Sequence, residues 1–407
     1  MKNKILKWFQ ADYYRVVFVI ISISMIIALP FMSKNAGMSG DEHFHFKQAE
    51  NVVNFYKTLG KDTAALVGEG GVADIMRYGQ LPDNISCFIA KTFNIENILS
   101  VRHFVNAIFG WVGVLFAGLL VFRISKNWVA AIITLLLLFF SPHYLGHSFN
   151  NLKDLPFAAM MMMGIYYITR FYQTFPKPPK KIFIMLAVSI GLALAIRVGG
   201  LLLIAYFGLF GLLYFINQWI KTRRVAKEKH KKIPEKKEKL SAIFLKLLIL
   251  GIGISVAGYI IGILLWPFAM VSPVKNVTST FAAMSQFGVA LRQLFEGALQ
   301  WSDFLPWYYT PKLILMTSPI AVILGLILFV TLIWKDKQNY FYYFILFFAF
   351  FFPVFWIIYT NANVYGGWRH VLFAYPPMVV AAGLGFNLVI EWITKRITSK
   401  DANPEKT

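Results

Sequence analysis

Cysteine and charged residues are scarce in this chain. Its 407 residues include a single cysteine, Cys87, which excludes an intramolecular disulfide and a cysteine-rich metal site. Charged residues make up only 14% of the sequence, hydrophobic residues make up 58%, and the mean hydropathy is +0.60. Soluble domains average roughly 25% charged residues. The composition therefore excludes an ordinary soluble domain and indicates an integral membrane protein.

Acidic residues are also few, 19 against 40 lysines and arginines, and the formal net charge is +21. A nucleic-acid-binding protein would carry this charge on one face of a soluble fold, whereas here the basic residues lie between long apolar runs. We therefore interpret them as a membrane topology signal and expect no nucleic-acid partner. The sequence also lacks a Walker-type glycine loop and a repeat of fixed period.

Ten apolar runs are long enough, at about 20 residues each, to cross a hydrocarbon core of roughly 30 Å. They are approximately 14–32, 104–122, 128–145, 155–171, 182–196, 198–219, 243–266, 313–334, 340–359 and 371–392. The stretch IRVGG separates the fifth run from the sixth and predicts a tight turn. The first run is expected to be a retained helix, because no small-residue cleavage site follows it. We predict an all-α, polytopic membrane fold with about ten transmembrane helices in one domain, 1–407.

The positive-inside rule orients these helices. Both termini are predicted to be cytoplasmic, because most lysines and arginines then fall on that side, in the basic loop 220–242 and the tail 393–407 among other places. The exterior side receives the loops 33–103, 141–154 and 267–312. The large first loop has amphipathic stretches, which predict short helices lying on the membrane face.

The stretch MSGDEHFHFKQ places two carboxylates and two imidazoles directly after the first run. Ser39 and Glu42 have the spacing of a capping box, so the stretch has a purely structural interpretation as a helix start. That interpretation leaves Asp41 at the membrane boundary, where desolvation raises a carboxyl pKa toward that of a general base. Asp41 and His45 share a helix face, so a divalent metal held by both is an alternative. His43 has no function that we can assign.

A second polar cluster, SPHYLGHSFNNLKDLP, lies between the third and fourth runs. Both charged residues at its end can be explained without a catalytic function. Asp154 could cap the following helix, and the Lys153 side chain could reach the lipid headgroups. Arg197 lies between two apolar runs. It must lie at the surface or face a polar cavity, because an arginine at the bilayer centre costs about 3 kcal/mol on insertion scales.

The segment NANVYGGWRHVLFAYPP precedes the last run. Arg369 is placed to bind a phosphate at headgroup depth. Tyr365 and His370 lie beside it as supporting residues, although Tyr365 is also a typical interfacial aromatic and His370 has a simpler structural interpretation. One membrane face would thus combine acidic groups from the first loop with basic groups from later segments, which suits a lipid phosphate beside a group that must lose a proton.

The order of these motifs resembles the GT-C superfamily of polyprenyl-phosphate-sugar-dependent glycosyltransferases, in the branch of protein O-mannosyltransferases and lipid A aminoarabinose transferases. The motifs that carry the resemblance are the acidic pair DE after the first run, YGQLPD, SPHYLGHSFNNLKDLP, IRVGG, WPFAMVSP, YYTPKLILMTSP and GGWRHVLFAYPP. Together they span most of the chain.

The resemblance implies transfer of a sugar, with inversion, from a polyprenyl-phosphate donor to an acceptor hydroxyl. The reaction would occur on the exterior face of the plasma, or inner, membrane. Asp41 would act as general base with Glu42 in support, and Asp154 would orient the acceptor or the base. The donor phosphate would be bound by three basic residues, Lys153, Arg197 and Arg369.

No cofactor is required by this reaction, because a phosphate whose charge is matched leaves as a stable anion; a divalent metal stays open. The expected partners are the donor lipid, membrane lipids and an acceptor that is a protein, a lipid or a glycan. A permease or a lipid-linked saccharide flippase is the alternative from another class. A transporter would be expected to have broken helices with charges near the midplane, whereas most charges here lie at the predicted exterior boundary. A polymerase or ligase that uses a diphosphate-linked oligosaccharide is a third option.

Overall fold

A computed structural model describes residues 2–40, 42–67, 74–227, 240–285, 288 and 290–401. Within these ranges the chain is almost entirely helical, with several short 3-10 turns and one two-stranded sheet. The helices are α1 (Lys2–Ser33), α2 (Glu42–Lys57), α3 (Leu81–Thr92), α4 (Ile98–Ser125), α5 (Trp128–Phe139), α6 (Pro142–Asn150), α7 (Asp154–Thr174), α8 (Lys180–Ile196), α9 (Leu201–Lys227), α10 (Leu240–Leu264), α11 (Pro267–Val271), α12 (Lys275–Ser285), α13 (Tyr309–Thr317), α14 (Ile320–Leu332), α15 (Tyr340–Tyr359) and α16 (Tyr375–Asp401). The strands are β1 (Arg292–Phe295) and β2 (Ala298–Trp301). The predicted all-α membrane fold is confirmed.

Among the described residues, six helices are long and apolar enough to cross a membrane, and two bent helix pairs raise the number to eight. The single spans comprise α1, α4, α9, α10, α15 and α16, and the spans of α9, α15 and α16 each include the 3-10 turn before the helix. The pairs are α5 with α6, bent by 64°, and α13 with α14, bent by 111°. All ten apolar runs form helix, but α7 and α8 fall outside this set, so the predicted number of about ten spans is not confirmed.

Helix α7 lies at the centre of the bundle. Nearly every residue along it is buried, including the four consecutive methionines Met160–Met163. It packs against α4, α8 and the 3-10 turn Arg369–Ala374. A helix that is apolar on all sides is typical of the core of a large protein or of a membrane span, and the burial of α7 shows that it lies in the core. The polar N-terminus of α7, at Asp154, is therefore held at one fixed place in the bundle.

Helices α8 and α10 pack closely because α10 presents two glycines one turn apart. A Cβ atom on Gly258 would lie 2.7 Å from a side-chain carbon of Ile190, and one on Gly262 would lie 2.6 Å from a side-chain carbon of Leu194. Small residues four apart let membrane helices approach to backbone contact. This contact fixes the end of α8 from which Arg197 emerges.

The predicted turn at IRVGG is confirmed. Helix α8 ends at Ile196, Arg197 is extended, and the 3-10 turn Val198–Gly200 leads directly into α9. Helix α9 then continues for 27 residues, about 40 Å at 1.5 Å per residue. The basic sequence that follows α9 therefore starts from the opposite end of the bundle to Arg197. Most of that basic loop, 228–239, lies outside the described residues.

The first loop is shorter than predicted, and it is helical. Helix α4 begins at Ile98, so Arg102 and His103, which the prediction placed at the end of the loop, lie within a candidate span. The predicted short helices are α2 and α3, which pack against each other. Helix α2 buries Val53 with Ala49 against Cys87 of α3, and it buries Phe55 with Val52 against Ala65.

Candidate functional site

One end of the bundle encloses a polar cavity of about 110 Å³. Its lining comes from the first loop, the start of α4, the connection between α6 and α7, and the segment before α16. All lining side chains except Leu152 are polar or charged. Segments that the topology prediction assigned to the same face therefore meet in space.

Glu42 lies at the start of α2 and is buried. Its Oε2 accepts a hydrogen bond from the backbone N–H of Ser39 at 2.6 Å, which is one half of the predicted capping box. Its Oε1 lies 3.1 Å from Nε2 of His103 and 3.8 Å from Nε of Arg102. Glu42 therefore both starts the helix and joins the charges of α2 to those of α4.

Arg102 forms the centre of this charge cluster. Its guanidinium Nη2 contacts Oδ1 of Asp83, and the two side chains are only 1% and 2% exposed. The guanidinium also lies over the ring of Phe46, 4.3 Å from its centroid. Two carboxylates, those of Asp83 and Glu42, thus share one buried cation at the wall of the cavity.

Sequence reasoning missed both Asp83 and Arg102. A signal for Arg102 was present, because it begins the pair Arg102–His103 beside an apolar run, and ionisable residues in membrane segments usually mark functional sites. Asp83 stands in YGQLPD, a motif that carried the resemblance but received no assigned function. Only the contact between α3 and α4 reveals that the two residues are partners.

The first loop is tied to the α8–α9 turn through Gln80. This residue adopts a left-handed backbone, with φ of 44°, and its N–H donates to the carbonyl of Ile196 at 3.3 Å. Its side-chain Oε1 lies 2.8 Å from Nδ1 of His45, and its Nε2 donates to Asn84. Burial lowers the pKa of His45, and it outweighs the nearby Asp83 charge, which acts in the opposite direction. His45 is therefore held as a neutral hydrogen-bonding residue.

The interpretation of Asp154 as a helix cap is wrong. Lys153 occupies the N-cap position of α7, and the backbone N–H of Asp154 donates to Oδ1 of Asn151 at 2.9 Å, so the Asp154 carboxylate is available for other partners. That carboxylate accepts from Nδ2 of Asn151 at 3.1 Å and pairs with Nη1 of Arg197 at 2.6 Å. Burial alone would raise the pKa of Asp154, but the charges of Arg197 and Lys153 hold it well below its usual value.

The three predicted phosphate ligands occupy different positions. Lys153 and Arg369 line the cavity, whereas Arg197 stands behind it, paired with Asp154. The ring of Tyr78 lies under two of these cations, 5.1 Å from Nζ of Lys153 and 6.0 Å from Cζ of Arg197. Cationic side chains from three separate segments therefore converge on one end of the bundle.

The segment before α16 is held by aromatic contacts. Trp368 is buried and stacks on His143, with ring centroids 3.9 Å apart, and the rings of Tyr365 and His370 lie 4.6 Å apart. Cζ of Arg369 lies 5.1 Å from the Tyr365 ring. Tyr365 therefore contacts both Arg369 and His370, and its function as a supporting residue stays a prediction.

Asp41 lies outside the described residues, and its function as a base stays a prediction. His43 packs its ring against Phe44, with centroids 3.7 Å apart. Within the part of the chain that the structure describes, no group of three or more His, Cys, Asp and Glu side chains is placed to hold a metal ion. Of the two candidate metal ligands, His45 has its Nδ1 engaged by Gln80.

A protein-family sequence model and solved structures match this chain. A sequence model of the dolichyl-phosphate-mannose-protein mannosyltransferase family matches residues 88–262, from within α3 to within α10. The crystal structure of ArnT from Cupriavidus metallidurans bound to undecaprenyl phosphate superposes with a TM-score of 0.61 at 12% identity, over 90% of this chain and 59% of ArnT. The apo form of the same ArnT superposes with a TM-score of 0.57 at 12% identity, over 91% of this chain and 60% of ArnT. No curated protein matches the sequence.

These matches show a polytopic membrane protein with an ArnT-like fold. The resemblance to protein O-mannosyltransferases and lipid A aminoarabinose transferases is confirmed, in sequence over residues 88–262 and in fold with ArnT as one structural relative. The chain spans about three fifths of the length of the ArnT chains that it matches.

Proposed function

We propose that this protein is a membrane glycosyltransferase that moves a sugar from a polyprenyl-phosphate donor to an acceptor hydroxyl. The observation that carries the proposal is the cavity itself, where buried carboxylates and cations from distant segments meet at one end of the bundle. The mannosyltransferase family match and the fold shared with an ArnT crystallised with undecaprenyl phosphate support it.

Lys153 and Arg369 are proposed to bind the donor phosphate, because both line the cavity. Negative charge accumulates on the phosphate as its bond to the sugar breaks. Cations held in a water-poor site stabilise that charge without having to reorganise. Arg197 stands behind the cavity, where Asp154 partly neutralises its charge, and it is proposed to add a weaker attraction for the phosphate. A phosphate stabilised in this way leaves without a general acid.

Asp41 is proposed as the general base. It directly precedes Glu42, whose carboxylate lines the cavity. In the proposed step, Asp41 takes the proton of the acceptor hydroxyl while the hydroxyl oxygen bonds to the anomeric carbon and the bond to phosphate breaks on the opposite side, which gives inversion. Asp154 is less suited to this task, because its low pKa and its ion pair with Arg197 make it a weak base. Asp154 is proposed to position neighbouring groups.

The site is proposed to face the exterior side of the plasma, or inner, membrane. Helix α9 begins beside Arg197 and ends at the basic segment, so the cavity and the densest positive charge of the sequence lie at opposite ends of the bundle. Basic loops stay on the cytoplasmic side. The acceptor then comes from outside the cytoplasm, and the donor enters from the bilayer.

A transfer assay tests the proposal. Purified protein in lipid nanodiscs is given a panel of labelled polyprenyl-phosphate sugars with protein, lipid and glycan acceptors. We expect wild-type transfer from one donor class, loss of transfer with retained donor binding in Asp41→Asn, and weakened donor binding in Arg369→Gln. Asp74→Asn is the matched control, because Asp74 is an exposed acidic residue outside the cavity lining.

The proposal is overturned by the absence of transfer and of donor binding across the whole panel. Movement of donor across a vesicle membrane without transfer would favour the flippase alternative. Full transfer activity in Asp41→Asn would remove the proposed base while leaving the enzyme class intact.

A further inference from the structure

Strands β1 and β2 form a tight hairpin with two different faces. The register pairs Arg292 with Trp301 and Leu294 with Leu299. The two turn residues, Glu296 and Gly297, both have positive φ, at 53° and 79°. Such a turn follows the natural twist of two strands and fixes their register, so the alternation of side chains between the faces is well defined.

One face of the hairpin packs on the protein. Phe295 is buried, and its ring centroid lies 4.9 Å from that of Tyr309. Gln293 points to the same side, and its Oε1 accepts a hydrogen bond from the N–H of Gly366 at 2.7 Å. These contacts fix the orientation of the opposite face.

The opposite face is apolar and uncovered. Leu294 and Leu299, paired across the strands, are 73% and 68% exposed. Trp301 is exposed beside them, and the guanidinium carbon of Arg292 lies 5.1 Å from its ring centroid. This face is typical of surfaces at membrane interfaces. It has two leucines and a tryptophan, and the side chain of the adjacent arginine is long enough to place its charge among the headgroups.

Contacts with α13 place the hairpin at the start of a candidate span. Glu296, at the hairpin turn, bonds to Lys312 in the first turns of α13. Helix α13 is the first half of the bent pair that ends near Lys335. Phe304 and Trp307, in the short connection between β2 and α13, are also highly exposed. The exposed apolar surface is thus continuous with the beginning of a membrane-crossing segment.

We propose that this surface, formed by Leu294, Leu299, Trp301, Phe304 and Trp307, inserts into the headgroup layer of the bilayer at the cavity end of the bundle. The apolar surface is therefore covered by the lipid interface and not by a partner protein. The exposed apolar residues lead along the chain through Phe304 and Trp307 into a candidate span, and Arg292 is positioned to reach lipid phosphates.

Insertion has a consequence for the cavity. Gln293 holds Gly366, and Gly366 is three residues from Arg369, whose side chain lines the cavity. The hairpin therefore ties the segment that carries Arg369 to the depth of the headgroups. This inference does not depend on the proposed transfer reaction, because it concerns only where the hairpin lies.

Spin-label accessibility tests the insertion. Single cysteines replace Leu294, Leu299 or Ala298 in a full-length Cys87→Ala background, and the labelled proteins are reconstituted in vesicles of phosphatidylethanolamine and phosphatidylglycerol. Collisions with molecular oxygen, which concentrates in the bilayer, are compared with collisions with a water-soluble nickel chelate. Ala298 is the matched control, because it neighbours Leu299 but belongs to the other face.

We expect labels at 294 and 299 to collide preferentially with oxygen and the label at 298 to do so less. Equal exposure of all three labels to the nickel chelate would overturn the inference. Immobilisation of the 299 label only at high protein density, without an oxygen preference, would also overturn it and would indicate a second copy of the chain as the occupant. Neither result requires catalytic turnover, so failure here is distinct from failure of the proposed function.

Discussion

Removing the charge of Arg102 should destabilise the protein far more than removing the charge of a surface arginine. In Arg102→Met the carboxylates of Glu42 and Asp83 stay buried without their shared cation. Glu42 keeps its contacts with His103 and Ser39, so the cost falls mainly on Asp83. Breaking a buried ion pair from one side typically costs about 3–5 kcal/mol. The lost contact with Phe46 adds about 0.5–2 kcal/mol.

The matched control is Arg77→Met. Arg77 pairs with Asp74, whose side chain is 54% exposed, and pairs of this kind contribute about 0–1 kcal/mol. The two variants are matched because both replace arginine by methionine, at Arg77 between α2 and α3 and at Arg102 in α4. The assay is the denaturant midpoint of the purified protein in one detergent, followed by tryptophan fluorescence, with thermal aggregation as a second measure.

Two outcomes would refute the reasoning. A midpoint shift for Arg102→Met no larger than that of Arg77→Met would mean that the cluster is hydrated and that its charges are screened. Strict additivity of Arg102→Met with Asp83→Asn would mean that the two side chains do not interact, because true partners should show a coupling energy of about 0.5–3 kcal/mol.

Three further changes test the turn and the start of α7. Arg197→Gln removes the main charge that holds the pKa of Asp154 low. The resulting loss of stability should be largest at neutral pH and should shrink below about pH 4, where the carboxyl of the unfolded chain takes up its proton. Melting temperatures measured across a range of pH test this expectation. Asp154→Asn should produce a similar loss that does not add to that of Arg197→Gln in the same melts. Gly79→Ala would place a Cβ 2.0 Å from the carbonyl oxygen of Ala195 and should cost about 1–3 kcal/mol in denaturant unfolding, whereas Gly37→Ala, in open space, should be nearly neutral.

Hydropathy and charge placement predicted the helical membrane fold, because these signals are local in sequence. The turn at IRVGG was predicted correctly for the same reason: two apolar runs meet there without room for a loop. The number of spans was harder to predict. Whether an apolar run crosses a membrane alone, forms half of a bent pair, or fills the bundle centre as α7 does depends on packing with helices that are distant in sequence.

The site was predicted in part. Lys153 and Arg369 were assigned from isolated motifs, and both line the cavity. The pairing of Asp83 with Arg102 could not be predicted, since it depends on how α3 folds back on α4. The cap of α7 was assigned to the wrong residue. Asn151 and Asp154 are both good N-cap types, and only the backbone path shows which of them accepts the N–H bonds.

The cavity is assembled from segments that are far apart in the sequence, from Ser39 to Arg369, and this has a consequence for biosynthesis. The residues before Arg369 emerge from the ribosome and enter the membrane first, so every other part of the cavity wall is translated while the final wall is still missing. The cavity is complete only after α16 has inserted and Arg369 lies beside Glu42 and Lys153. Nascent chains that stall before this step should contain most of the helices described above yet have no closed cavity, so the site forms only after a segment far along the sequence has been translated.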